Sequence, residues 1–139
     1  MDRTTFLKQT ALFSGFSDKD LADILATARQ RTFDSGASII KEGDQGATGF
    51  YLVLSGRAEV RKGATVLDTM GPGAYFGEMA LLLENTARTA DVVAVEPTTC
   101  LVMTRWDLKA TLSRHPELGV KMMGELAKRL ANTDRALSD

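Results

Sequence analysis

The chain has 139 residues, 17 basic against 18 acidic for a net charge of −1, and one cysteine. That length suffices for a single domain, 1–139, with a real core and no covalent staples, and the lone thiol excludes a disulfide framework or a cysteine-ligated iron–sulfur cluster and favours a reducing, cytoplasmic setting. Near-neutral charge without a basic block argues against a nucleic-acid groove, and no apolar run approaches the roughly 20 residues that cross a bilayer.

The start, MDRTTFLKQT, has no signal-peptide shape. Residues 2 to 31 read as helical with a break near Ser14-Gly15, and Leu7, Ala11 and Leu12 are expected on one face. Ser17-x-x-Asp20 before Leu21, Ile24 and Leu25 is a helix-start signature, which predicts a second helix from about Asp18 to Gln30. These helices are expected to cover a sheet.

From residue 32 to 105 the pattern changes to short β-type runs punctuated by glycine. Residues 38–41, 50–54, 58–60, 65–68, 90–95 and 99–103 form the runs, with Gly36, Gly43, Gly46, Gly56, Gly63 and Gly71 between them. This spacing predicts a mainly β fold with flanking helices, in the form of a compact antiparallel barrel or jelly-roll-like sandwich.

One stretch in this region, residues 76–92 (FGEMALLLENTARTADV), carries chemistry. Gly71-Pro72-Gly73 ends the preceding element, and good helix formers after Gly77 predict a helix that begins near Glu78. The first turn of such a helix presents unpaired N–H groups, here around Met79 and Ala80, to an anion, and Gly77 has no side chain to keep a ligand away. Arg88 offers a planar charged fork suited to phosphate oxygens, and Thr89 a hydroxyl donor. Glu78 beside a phosphate is repulsive unless it accepts from a donor such as a sugar hydroxyl, so phosphate and ribose together point to a nucleotide. The plain alternative is a structural Glu78–Arg88 ion pair in an ordinary strand–turn–helix.

After residue 105 the pattern is helical again, over 106–139. Trp106 to Leu112 makes a short helix, and His115-Pro116-Glu117 starts a longer one, since proline suits a first turn and an acid suits the dipole there. Along it Gly119, Met123, Leu126, Leu130, Thr133 and Leu137 recur at steps of four and three, a heptad seam that needs a cover, while Leu118 and Met122 widen the apolar face. Residues 124–131 look like the first helix of a helix-turn-helix, but no recognition helix follows them in this sequence. His115 is read as a helix-entry residue; as the sole histidine it cannot furnish a multi-histidine metal site of cupin type. Cys100, in an apolar strand, is read as an inert buried thiol.

The 76–92 stretch resembles the phosphate-binding cassette of the cyclic nucleotide-binding domains, close to F-G-E-x-A-L, about five residues, then P-R-[ST]-A-x-V. Phe76, Gly77, Glu78, Ala80, Leu81, Arg88, Thr89, Ala90 and Val92 match, and Ala87 stands where the family usually has proline. The turn glycines of GASIIKEGDQGATGFYLVLSGRAEV fall in register too, so the resemblance covers nearly the whole chain. It implies an antiparallel β-roll, a double-stranded β-helix with N-terminal helices and C-terminal lid helices, that binds cAMP, placed ahead of cGMP, performs no chemistry and needs no cofactor or metal. Arg88 with the N–H groups of Met79 and Ala80 would then hold the cyclic phosphate, Glu78 and Gly77 the ribose, Thr89 phosphate or base, and Leu67 and Met70 the purine floor. Thr133, otherwise a tolerated polar seam residue, aligns where a threonine meets the purine across the dimer of the catabolite-activator relatives. Implied partners are a second copy through the C-terminal helix or an effector domain outside this sequence; a ligand-free interaction domain and the sensor half of a transcription regulator are the rival readings.

Overall fold

The computed structural model describes residues 2–40, 49–77 and 90–138, without the side chains of 129, 130 and 132–138. Two short helices open the chain. Asp2 caps α1 (Arg3–Lys8), its Oδ1 accepting from Thr5 N at 2.7 Å, and Ser17 caps α2 (Asp18–Leu25) by accepting from Asp20 N at 3.1 Å. Among the described residues eight strands follow: β1 (Arg29–Phe33), β2 (Ser38–Ile40), β3 (Phe50–Ser55), β4 (Ala58–Lys62), β5 (Thr65–Met70), β6 (Tyr75–Phe76), β7 (Asp91–Ala94) and β8 (Thr98–Met103). Helix α3 (Arg105–Arg114) begins at the Thr104 cap, and α4 (Pro116–Ser138) has proline at its first position, where the missing N–H costs nothing.

The strands form two four-stranded sheets, β1-β8-β3-β6 and β2-β7-β4-β5, with every pairing antiparallel. They enclose an apolar interior of Phe33, Tyr51, Val53, Phe76 and Cys100 from the first sheet and Ile40, Ala58, Met70, Val92 and Ala94 from the second. The first sheet is covered on its other face as well, so β3 is a continuous apolar run. Tyr51 and Val53 point into the roll, while Phe50 and Leu52 point to a second core with Leu12, Phe13, Leu21, Ile24, Leu108, Leu118 and Met122 from the helices. This is the predicted β-roll with flanking helices.

Three glycine positions show how tightly the turns are built. Gly56 has φ +90° and lies so close to the β7–β8 turn that a Cβ would stand 2.4 Å from Pro97 O. Beneath it the fully buried Thr98 Oγ1 accepts from Arg57 N, and its own proton serves Glu96 O at 2.7 Å or Arg57 O at 3.1 Å. Gly73, φ +90°, donates to Val53 O at 2.8 Å and fastens the Gly-Pro-Gly turn to β3. A Cβ on Gly49 would meet the Tyr51 ring at 2.3 Å.

The structure moves several boundaries. The first helix stops at Lys8 and turns occupy residues 9–15, leaving Ala11 exposed while Leu7 and Leu12 are buried. The second stops at Leu25 rather than Gln30, because Thr27 Oγ1 and Ala28 N fold back onto Ile24 O and Leu25 O and end it in a tight turn. From Arg29 the backbone pairs instead with β8, Arg29 opposite Val102 through Phe33 opposite Thr98, a partner about 70 residues away that local pattern cannot show. Strand β6, too short to carry an alternation signal, was not anticipated either.

Candidate functional site

The cassette is entered from an aromatic wall. Phe76 is buried and stacks on Tyr51, with ring centroids 5.1 Å apart and 10° between planes, and Tyr51 in turn meets Phe33 edge-on at 6.3 Å. The backbone pairing of Tyr51 with Phe76 fixes the end of β6, and Gly77 follows at φ +92°, a region that L side chains rarely occupy. The chain is described again at Ala90 and enters β7, where Val92 is buried and pairs with both Val60 of β4 and Ile40 of β2. The stretch 78–89 therefore leaves from the edge of one sheet and returns to an inner strand of the other.

Of the residues that the sequence singles out, Gly77 is placed at this exit with the backbone conformation that needs glycine. Glu78, Met79, Ala80, Arg88 and Thr89 lie outside the described residues, as does the helix expected near Glu78. Thr133 lies on α4 with its side chain outside the description. Leu67 and Met70 differ in burial: Met70 is 7% exposed in the roll interior and Leu67 is 56% exposed, where the β4–β5 register shifts.

Cys100 and His115 each have a defined packing environment. Burial pushes the Cys100 thiol up to about 11, which keeps it protonated and unreactive near neutrality. His115 caps α3, and its Nε2 lies 2.7 Å from Asp23 Oδ2 on α2, a pairing across 92 residues with no local signal. Asp23 also accepts from Arg114 Nε at 3.1 Å, and these bonds, His115 first, hold its carboxyl below the usual value of 3.8. The seam of α4 divides: Leu118 and Met122 belong to the core, and Met123, 63% exposed, faces outward. No helix among the described residues is long and apolar enough to cross a membrane.

Two antiparallel sheets covered by helices from both ends of the chain define a β-roll domain. Comparison with known proteins gives the family. The cyclic nucleotide-binding domain pattern matches residues 30–115. The cyclic AMP receptor protein of Thermus thermophilus is 34% identical over 136 residues, covering 94% of this chain and 62% of that protein. The crystal structure of the Thermus thermophilus catabolite activator protein superposes with a TM-score of 0.84 at 33% identity, over 93% of this chain and 62% of that one. The regulatory domain of Toxoplasma gondii PKA, solved with cAMP, gives a TM-score of 0.67 at 30% identity, over 78% of this chain and 42% of that one. The chain belongs to the cyclic nucleotide-binding domain family, and it spans less than two thirds of the length of these relatives.

Proposed function

We propose that this chain is a regulatory module that binds a cyclic nucleotide, cAMP ahead of cGMP, and carries out no chemistry itself. The observation that carries the reading is Gly77: its φ of +92° at the end of β6 opens the chain directly into the Glu78–Thr89 stretch, whose residue types match the family cassette. In this reading Arg88 and the N–H groups of Met79 and Ala80 hold the cyclic phosphate, Gly77 and Glu78 hold the ribose 2′-hydroxyl, and Thr89 and Thr133 reach phosphate or purine. Leu67, exposed, and Met70, in the roll interior, supply the apolar surroundings of the purine. The preference for cAMP draws on the names of the relatives: a cyclic AMP receptor and a regulatory domain solved with cAMP.

Occupancy is then passed on through α4. The ligand shifts a population between two packings of the helices against the roll, and only its differential affinity for the two can do so. A hundredfold preference is worth about 2.7 kcal/mol. The exposed Met123 on the seam of α4 supports output through a second copy of the chain or an effector domain, and the identity of that output is the part of the reading furthest from the site. A competition titration of cAMP against cGMP, repeated with Thr89→Ala, tests the ligand choice. Tighter binding of cAMP that survives Thr89→Ala supports it; tighter binding of cGMP overturns it.

A further inference from the structure

The junction between α3 and α4 gathers metal-ligating groups from three places in the chain. Asp20 lies in the first turn of α2, His115 caps α3, and Glu117 lies in the first turn of α4. One ring nitrogen of His115 and one carboxylate oxygen from each acid all lie within 4.8 Å of one another. An acid in a first turn has an ordinary reason to be there, since it complements the helix dipole. That reason accounts for each acid on its own helix. It does not account for both standing within reach of the sequence's sole histidine, whose residue is 8% exposed.

Asp23 supplies an independent observation. Its Oδ2 stands 2.7 Å from His115 Nε2, the carboxylate–imidazole arrangement that orients metal-binding histidines, with Nδ1 on the side of Glu117. Glu117 Oε1 lies 3.6 Å from Nδ1, too far for a hydrogen bond. The ring thus stands between Asp23 on its Nε2 side and Glu117 on its Nδ1 side, with Asp20 also within ligating reach.

We propose that Asp20, His115 and Glu117 form a binding site for a divalent transition-metal ion of the Zn²⁺ type, with Asp23 as the positioning residue behind the imidazole. One nitrogen and two carboxylates suit zinc, whereas magnesium and calcium take oxygen ligands alone. Metal–ligand distances of about 2 Å bring tetrahedral donors to roughly 3.5 Å apart, so closing the site needs only a small inward turn of the two half-exposed acids. Three protein ligands leave a fourth position for water or an exchangeable group. The ion would tie the start of α2 to the start of α4, the helix that the functional reading uses for output. The site itself does not depend on that reading.

The test is a chelator-competition titration of Zn²⁺ into the nucleotide-free chain at neutral pH, with Mg²⁺ in parallel. The wild type should bind one zinc ion and no magnesium, and Asp23→Asn should weaken zinc by about 10–100-fold. The double variant Asp20→Asn, Glu117→Gln, surface changes whose retained circular dichroism verifies the fold, should lose the stoichiometric site. Zinc affinity in the double variant equal to that of the wild type, or no stoichiometric binding in the wild type, overturns the proposal.

Discussion

Gly77 and Asp23 show what single residues settle here. At φ +92° Gly77 holds a conformation that costs an L-residue about 1–2 kcal/mol, so Gly77→Ala should lower the stability of the chain by that amount. A urea midpoint unchanged from the wild type would show that the turn relaxes freely. Asp23 acts through protonation. The bonds from His115 and Arg114 lower its folded pKa below the usual 3.8, so its contribution is complete above that value and is lost as pH falls through the lowered one. Urea stability should therefore decline more steeply from pH 4 downward in the wild type than in Asp23→Asn, with Asp2, whose carboxyl Thr5 also holds low, accounting for part of the slope that remains. Identical slopes would mean that the α2–α3 junction does not hold together as described. Sequence reading found Gly77 from its place before a helix-forming run, but Asp23 was invisible because its partner lies 92 residues away.

At the scale of elements, α4 has two faces with different duties. Leu118 and Met122 are buried with Phe13 and Phe16 against the first helices, and Lys121 Nζ donates to Ser14 Oγ at 2.9 Å along the same edge. Leu118→Ala should cost about 2–5 kcal/mol by denaturant unfolding, the range for emptying a buried leucine site. Met123→Glu, on the exposed side, should leave stability within about 0.5 kcal/mol and reduce any self-association seen by sedimentation. The reverse assignment, a harmless Leu118→Ala and a destabilising Met123→Glu, would show that the helix docks by its other face. The heptad spacing in the sequence identified the helix and its apolar stripe. It could not say which side of the stripe met the core, because that depends on where the N-terminal helices lie. Periodicity likewise found six of the strands and missed β1 and β6: β1 is polar on its exposed positions and is defined by pairing with β8, and β6 has two residues. Leu67 and Met70 separate in burial beside a shift in the β4–β5 register, which the sequence spacing does not show.

For the whole molecule, the two cores share the first sheet. One lies between the sheets; the other joins the first sheet to α1, α2, α3 and α4, the contact through which the proposed reading would pass occupancy to the helices. Nucleotide binding is the claim on which the rest turns, and Arg88 is the side chain it leans on most. Calorimetric titration of cAMP into the wild type and into Arg88→Ala tests it most directly. The account predicts stoichiometric heat for the wild type and a loss of about 2 kcal/mol or more in the variant, the cost of stranding a buried phosphate charge. Wild-type heats indistinguishable from buffer at high micromolar ligand, or wild-type affinity in Arg88→Ala, would contradict it.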